Sequence, residues 1–319
     1  MELSFPNMRY DHTMPLLDGR VEIPGVEIVP GPTPAMVTKD IPSLRTGEFG
    51  LCDLNTGYWL SAIEAGWELI GLPLFIKRKP VYQYLFCRAD AGIDRPKDLE
   101  GKRIGTNFYP TGITILLQGL LQHRHGVDTS SLVWVANGTS EVFPVHKDLP
   151  RVEVAEGVRK APWDRLIDGE VDAIITDISD GPAWERLEGD PNVKRLFDYM
   201  AEDRKLYQET GIYTPMHLIV MSKKLDREDP GLARRVYDAF EQAKRIAYQD
   251  IANDRAGFSV MYLRERFVEQ TREWGDPWKY GVGGDKANIE SFVAYSAEQG
   301  ITSRKLALDE VFASSTLDT

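Results

Sequence analysis

The residues most suited to chemistry are a histidine and three aspartates that each close an apolar run. His217 lies inside TPMHLIVMS, a strand-like stretch with little else polar in it. An imidazole there is a natural general acid or base near neutral pH. Asp11 ends MRYD, Asp53 sits in FGLCDLN and Asp177 follows VDAIIT. A carboxylate at a strand end can orient a histidine, accept a ligand hydroxyl or, when buried, act as an acid. His217, Asp53 and Asp11 are therefore the catalytic candidates. His12 has a weaker claim, next to Asp11. His123 and His125 fall at a helix end as surface or capping groups, and His146 in a loop says nothing.

A second set of residues could hold a ligand. Lys77, Arg78 and Lys79 form a basic run that could neutralise an acid, with Arg78 favoured because a guanidinium meets a carboxylate with two parallel bonds. The loop NFYPTG (107–112) opens straight into the apolar run ITILLQGLL. Pro110 suits a helix start, Thr111 can cap it, and Gly112 lets a ligand approach the backbone. Free N–H groups at such a start attract a carboxylate. Tyr10, Asn55 and Thr56 are further polar groups at strand ends, and Asp177 joins them as a ligand contact.

These positions need strands that end together. Strand-like runs (LSFPNM, VEIVPG, FGLCDLN, ELIGLPLFI, VYQYLFCRA, KRIGT, SLVWVAN, VDAIITDIS, TPMHLIVMS) alternate with helical ones. The latter include PAMVTKDIPSLRTGE, GYWLSAIEAG, TGITILLQGLLQHRHG and APWDRLIDGE, and the C-terminal third is mostly helical. Such alternation predicts α/β layers with largely parallel sheets. The runs near 81–89 and 215–222 read as crossovers. The expected plan is a discontinuous first lobe (1–87 and 216–319) around an inserted second lobe (88–215). Ligands in such sheets bind beyond the carboxyl ends of the strands, here in the cleft between lobes.

Composition excludes several classes. The chain has 319 residues, 42% hydrophobic and 27% charged, enough for a sizeable core and not the pattern of a disordered chain. A net charge of −11 and a pI near 5.1 argue against a nucleic-acid binder. No apolar run reaches membrane-span length and no secretory leader opens the chain, so a cytoplasmic protein without membrane contact is expected. Cys52 and Cys87 lie in strand-like runs as buried residues, without CxxC or metal-type spacing. No GxxxxGK[ST] or nicotinamide-type GxGxxG occurs.

Three blocks carry a family resemblance: RYDHTMPLLDG, ADAGIDRPKDLEGKRIGTNFY, and DPWKYGVGGDKANIESFVAYSAEQGITSRKLALDEVFASSTL. They resemble the 4,5-dihydroxyphthalate decarboxylase family over nearly the whole chain. The resemblance implies a two-lobed type II periplasmic-binding-protein-like fold. Tyr10, Asp11, Arg78, Tyr109 and Pro215-Met216-His217 match its pattern. Val81-Tyr82 stand where its decarboxylases carry Arg-His, and Gly112-Ile113, Leu116 and Gln118 also depart from it.

The implied activity is cofactor-independent decarboxylation of a small hydroxylated aromatic acid, with His217 as proton donor or base. Asp53 or Asp11 would tune it or bind a hydroxyl, and Arg78 with the Thr111-Gly112 helix start would hold the carboxylate. Tyr82 and Tyr109 would cap the ring. No cofactor is expected, with a divalent metal left open. The rivals are a non-catalytic binding protein for a small carboxylate and another lyase or hydrolase on the same scaffold. A homo-oligomer is compatible with the sequence.

Overall fold

A computed structural model describes residues 1–6, 9–31, 41–109, 111–137, 152–154, 160–178 and 181–319. The expectations for Pro110, for His146 and for residues 34–40 of the helix expected over 34–48 lie outside these residues.

The chain begins with β1 (Glu2–Pro6), β2 (Glu27–Gly31), β3 (Leu51–Asn55), β4 (Leu69–Gly71) and β5 (Lys77–Arg78). It then builds β6 (Leu85–Arg88), β7 (Arg103–Thr106), β8 (Val133–Ala136), β9 (Val152–Val154), β10 (Ala173–Ile175) and β11 (Val193–Arg195). β12 (Pro215–Ser222) returns to the first group. The second group forms one six-stranded sheet in the order β11-β6-β10-β7-β8-β9. Its β10, β7, β8 and β9 are parallel, β6 runs against them, and β11, antiparallel to β6, runs with them again.

The first sheet departs from the expected parallel arrangement. β12 threads between β3 and β4 and also pairs β5, and each pairing is antiparallel. A returning strand inserted between two outgoing ones must reverse the local direction. β12 is buried along its length except at His217, which is half-buried. Its side chains alternate between two cores: Leu218 and Val220 pack with Trp59, Leu85 and Ile104, whereas Ile219 and Met221 pack with Phe5, Leu72 and Phe240. A strand covered on both faces needs apolar residues at every position, which explains the unbroken LIVM.

Three expected elements are shorter than the sequence suggested. In ELIGLPLFI only Leu69–Gly71 pairs as strand, because Pro73 has no N–H for a ladder. VYQYLFCRA opens with a 3-10 turn, Tyr82–Tyr84, before β6. In the run ANDRAGFSVMYLRERFVEQ, helix covers only Leu263–Trp274, and residues 255–262 are irregular.

Candidate functional site

On β12, His217 stands opposite Asn55 of β3 on one side and Lys77 of β5 on the other. Directly opposed residues of an antiparallel ladder share a face. Asp53, two residues before Asn55, shares it too. The imidazole Nδ1 lies 2.7 Å from Asp53 Oδ1. A carboxylate only accepts, so Nδ1 donates and the tautomer is fixed. The Asp53 side chain is 1% exposed and that of His217 19%. Among the described residues His217 Nε2 has no partner, and neither does the buried second oxygen of Asp53. The pair therefore presents one oriented nitrogen to the outside.

Charges from both sheets converge beside it. Asp177, just beyond β10, accepts from Lys77 Nζ at 3.2 Å and Lys79 Nζ at 2.7 Å. Burial would raise its carboxyl, but the two ammonium groups outweigh that and hold it below the ordinary aspartate value. The Tyr10 phenol is driven well above its ordinary value by burial, then by the charges of Asp53 and Asp177. It stays protonated and can donate to a ligand.

The start of the helix Gly112–His123 is built differently from expectation. Asn55 Oδ1 accepts from Gly57 N at 3.0 Å and from Gly112 N at 2.9 Å, so one carboxamide caps two helices, Thr56–Glu64 and Gly112–His123. The Gly112 N–H is thus committed inside the protein. A Cβ on Gly112 would fall 2.2 Å from Thr56 Oγ1, so the glycine serves this close helix approach. Thr56 Oγ1 donates to the carbonyls of Pro215 and Met216 at 3.1 and 3.3 Å. Thr111 caps its helix and shares a 2.9 Å hydrogen bond with the Thr114 hydroxyl.

Four other expected site residues are placed elsewhere. Arg78 is enclosed: its guanidinium binds Asp285 at 2.5 Å and the carbonyls of Tyr213 and Lys279 at 2.7 and 2.8 Å, with 0% side-chain exposure. It ties the first sheet to the C-terminal segment and offers a ligand no exposed nitrogen. Alternation explains the swap: Lys77 and Lys79 point one way from their strand, Arg78 the other. Asp11 binds His12 Nδ1 at 2.9 Å and lines a recess of about 210 Å³ with Tyr248, Phe267 and Trp278. Burial alone would raise its carboxyl, but the His12 hydrogen bond and charge bring it below the ordinary value. Tyr82 is fully buried, its hydroxyl 2.8 Å from His125 Nε2. Tyr109 is buried against Trp134 and donates to Gln118 Oε1 at 3.2 Å. Neither ring is available to cap a ligand in this arrangement.

Three contributors escaped sequence reasoning: the double cap of Asn55, the Lys77–Asp177–Lys79 cluster, and Asp203, which accepts from Val81 N and Tyr82 N at 2.9 and 3.3 Å. Only the cluster had a readable signal, the K-R-K alternation. Among the described residues, no group of three or more His, Cys, Asp or Glu is arranged to hold a metal, and no helix is long and apolar enough to cross a membrane.

Comparison with known proteins extends the motif resemblance. The NMT1/THI5-like family matches residues 26–252. The chain is 28% identical to the 4,5-dihydroxyphthalate decarboxylase of Comamonas testosteroni over 336 aligned positions, covering 100% of this chain and 98% of that one. It is also 28% identical to the Pseudomonas putida protein of that name, over 62% of this chain and 77% of the relative. Among solved structures it resembles the alkanesulfonate-binding protein SsuA of Xanthomonas axonopodis pv. citri (TM-score 0.54, 15% identity, covering 98% of this chain and 97% of that chain). It also resembles the periplasmic aliphatic sulphonate-binding protein SsuA of Escherichia coli (TM-score 0.53, 12% identity, 97% and 94%). The fold is that of the two-lobed periplasmic binding proteins.

Proposed function

The chain belongs to the NMT1/THI5-like family, and from that premise we propose that it is a carboxy-lyase removing CO2 from a small hydroxylated aromatic acid. The observation that carries this reading is the buried Asp53 holding His217 in one tautomer, with Nε2 left for a ligand. Similarity to two decarboxylases supports the same reaction class.

The chemistry follows from the tautomer. Neutral Nε2 accepts the proton of a ring hydroxyl ortho or para to the carboxylate. The oxygen's electrons move into the ring, and the new imidazolium is stabilised by Asp53 through Nδ1. The Nε2 proton then passes to the ring carbon bearing the carboxylate. The C–C bond breaks, its electrons restore aromaticity and leave a phenolate, CO2 departs, and the phenolate takes up one proton from solvent. The sum is one carboxylate and one proton giving arene and CO2. No organic cofactor is required by these steps. In this reading Lys77 and Lys79, paired with Asp177, meet the acid in place of the enclosed Arg78, and the Tyr10 phenol donates to an oxygen. Holding these groups in place is the protein's main contribution.

A non-catalytic carboxylate binder is the second reading. The Lys77–Asp177–Lys79 cluster favours it, since a salt bridge between the two sheets suits a protein whose work is closure around a ligand. A panel of hydroxybenzoates and hydroxyphthalates separates the two, with CO2 release followed beside thermal shifts. Release from at least one acid, unaffected by chelators, is expected. Thermal shifts without turnover across the panel would overturn the lyase reading in favour of the binder.

A further inference from the structure

The helix Leu263–Trp274 and the segment before it form an arm that the rest of the chain covers on one side only. None of its helical residues is buried. Leu263, Phe267 and Trp274 are only half-buried against the body, with Phe267 touching Tyr248. A helix of about 12 residues is marginal in water without tertiary packing. Yet Phe258, Val260, Met261, Tyr262 and Val268, 48–77% exposed, make up most of the exposed large apolar residues among those described. Exposed apolar residues concentrated in this way mark an interaction surface.

A second observation points to the same place. Asp254 and Tyr262 are the non-glycine residues with positive φ among those described, at 55° and 60°. They bracket the entry to the arm. For an aromatic side chain on an exposed segment that conformation is strained and persists where surroundings hold it.

The outer face identifies what could cover it. At helical spacing Glu265, Val268 and Arg272 share the side opposite Leu263, Phe267 and Trp274. The helix carries three arginines and three glutamates in a chain of net charge −11, so two copies can approach here without the repulsion of the general surface. Arg272 has no ion-pair partner among the described residues, while Glu265 has only a 3.5 Å contact with its neighbour Arg264. A two-fold axis near residues 268 and 269 would set Glu265 of each copy opposite Arg272 of the other, twice, around a central pair of Val268 side chains. Such self-complementarity is what an isologous interface requires.

We propose that this arm is the dimerisation surface of the protein, its occupant being a second copy of the same chain packed antiparallel along Leu263–Trp274. The proposal is independent of the catalytic reading. Sedimentation equilibrium on the full chain tests it, with circular dichroism as a check on folding. The wild type is expected to be a concentration-dependent dimer. Val268→Glu should yield a folded monomer. Arg272→Glu and Glu265→Arg should each weaken association about tenfold or more, and the double swap should return it to near the wild-type value. A wild type that stays monomeric at ~100 µM, or a dimer indifferent to Val268→Glu, overturns it. So does a double swap no better than the worse single variant.

Discussion

Two histidine–aspartate pairs stand at the first lobe's edge, and they differ in what they leave open. His217 meets a buried aspartate through Nδ1 at 2.7 Å and keeps Nε2 free of described partners. His12 meets Asp11 through Nδ1 at 2.9 Å, but its Nε2 is 3.0 Å from the Ile76 carbonyl and the residue is only 4% exposed. Both His12 nitrogens are engaged by groups inside the protein, and the ring is stacked on Tyr10 at 5.5 Å. The bond to a carboxylate is common to both; an uncommitted nitrogen belongs to one. Position near a strand end therefore does not make a histidine catalytic.

The largest expected effect separates these pairs. His217→Gln should lower the decarboxylation rate about 10³-fold, within the range for losing a general acid–base, while the melting temperature hardly moves. His12→Asn should do the reverse: about 1–3 kcal/mol of stability lost from breaking buried hydrogen bonds, with turnover per folded molecule nearly intact. Initial rates of CO2 release and urea titrations on both variants decide the matter. Equal rate losses at equal stability would erase the distinction.

Lys77 and Arg78 give the next contrast, adjacent residues on opposite faces of one short strand. Arg78 is buried on Asp285, so Arg78→Met should cost about 3–5 kcal/mol by stranding that carboxylate. Lys77 is 20% exposed and shares Asp177 with Lys79, so Lys77→Met should cost little stability and instead raise KM for the acid. An Arg78→Met protein with normal stability and raised KM would return the carboxylate role to the arginine.

What the sequence let one see follows from distance along the chain. His217 stood out because one polar residue interrupted a run that is otherwise covered on both faces. The lobed plan was legible because strand and helix periods alternate cleanly. Arg78 was misread because its partner, Asp285, is 207 residues away and nothing local announces the pairing. Gly112 was read as a ligand contact when its space is needed by Thr56, 56 residues earlier. Tyr82 and Tyr109 were assigned to the ligand from their aromatic character and their places in the family pattern, and burial against His125 and Trp134 is a tertiary fact.

The subtlest contrast is between two carboxylates, the half-buried Asp177 and the buried Asp203. Lysines hold Asp177 low, whereas burial pushes Asp203 up to about 6, with only backbone N–H groups of Val81 and Tyr82 opposing it. Asp203 Oδ2 has no partner among the described residues. Because its folded value lies above the unfolded one, the native state binds more protons between pH 4 and 6. Stability should therefore fall as pH rises through that window and level off above about 6, by roughly 2–3 kcal/mol at most. Asp177 has the opposite sign, and its contribution is lost only as pH falls below the ordinary aspartate range. Asp203→Asn keeps the oxygen that accepts from Val81 and Tyr82 but cannot ionise. Its stability curve should lose the downward step between pH 4 and 6 relative to wild type, as read by urea midpoints at several pH values. A step of unchanged size in the variant would assign the titration to another group and leave Asp203 as a capping residue alone.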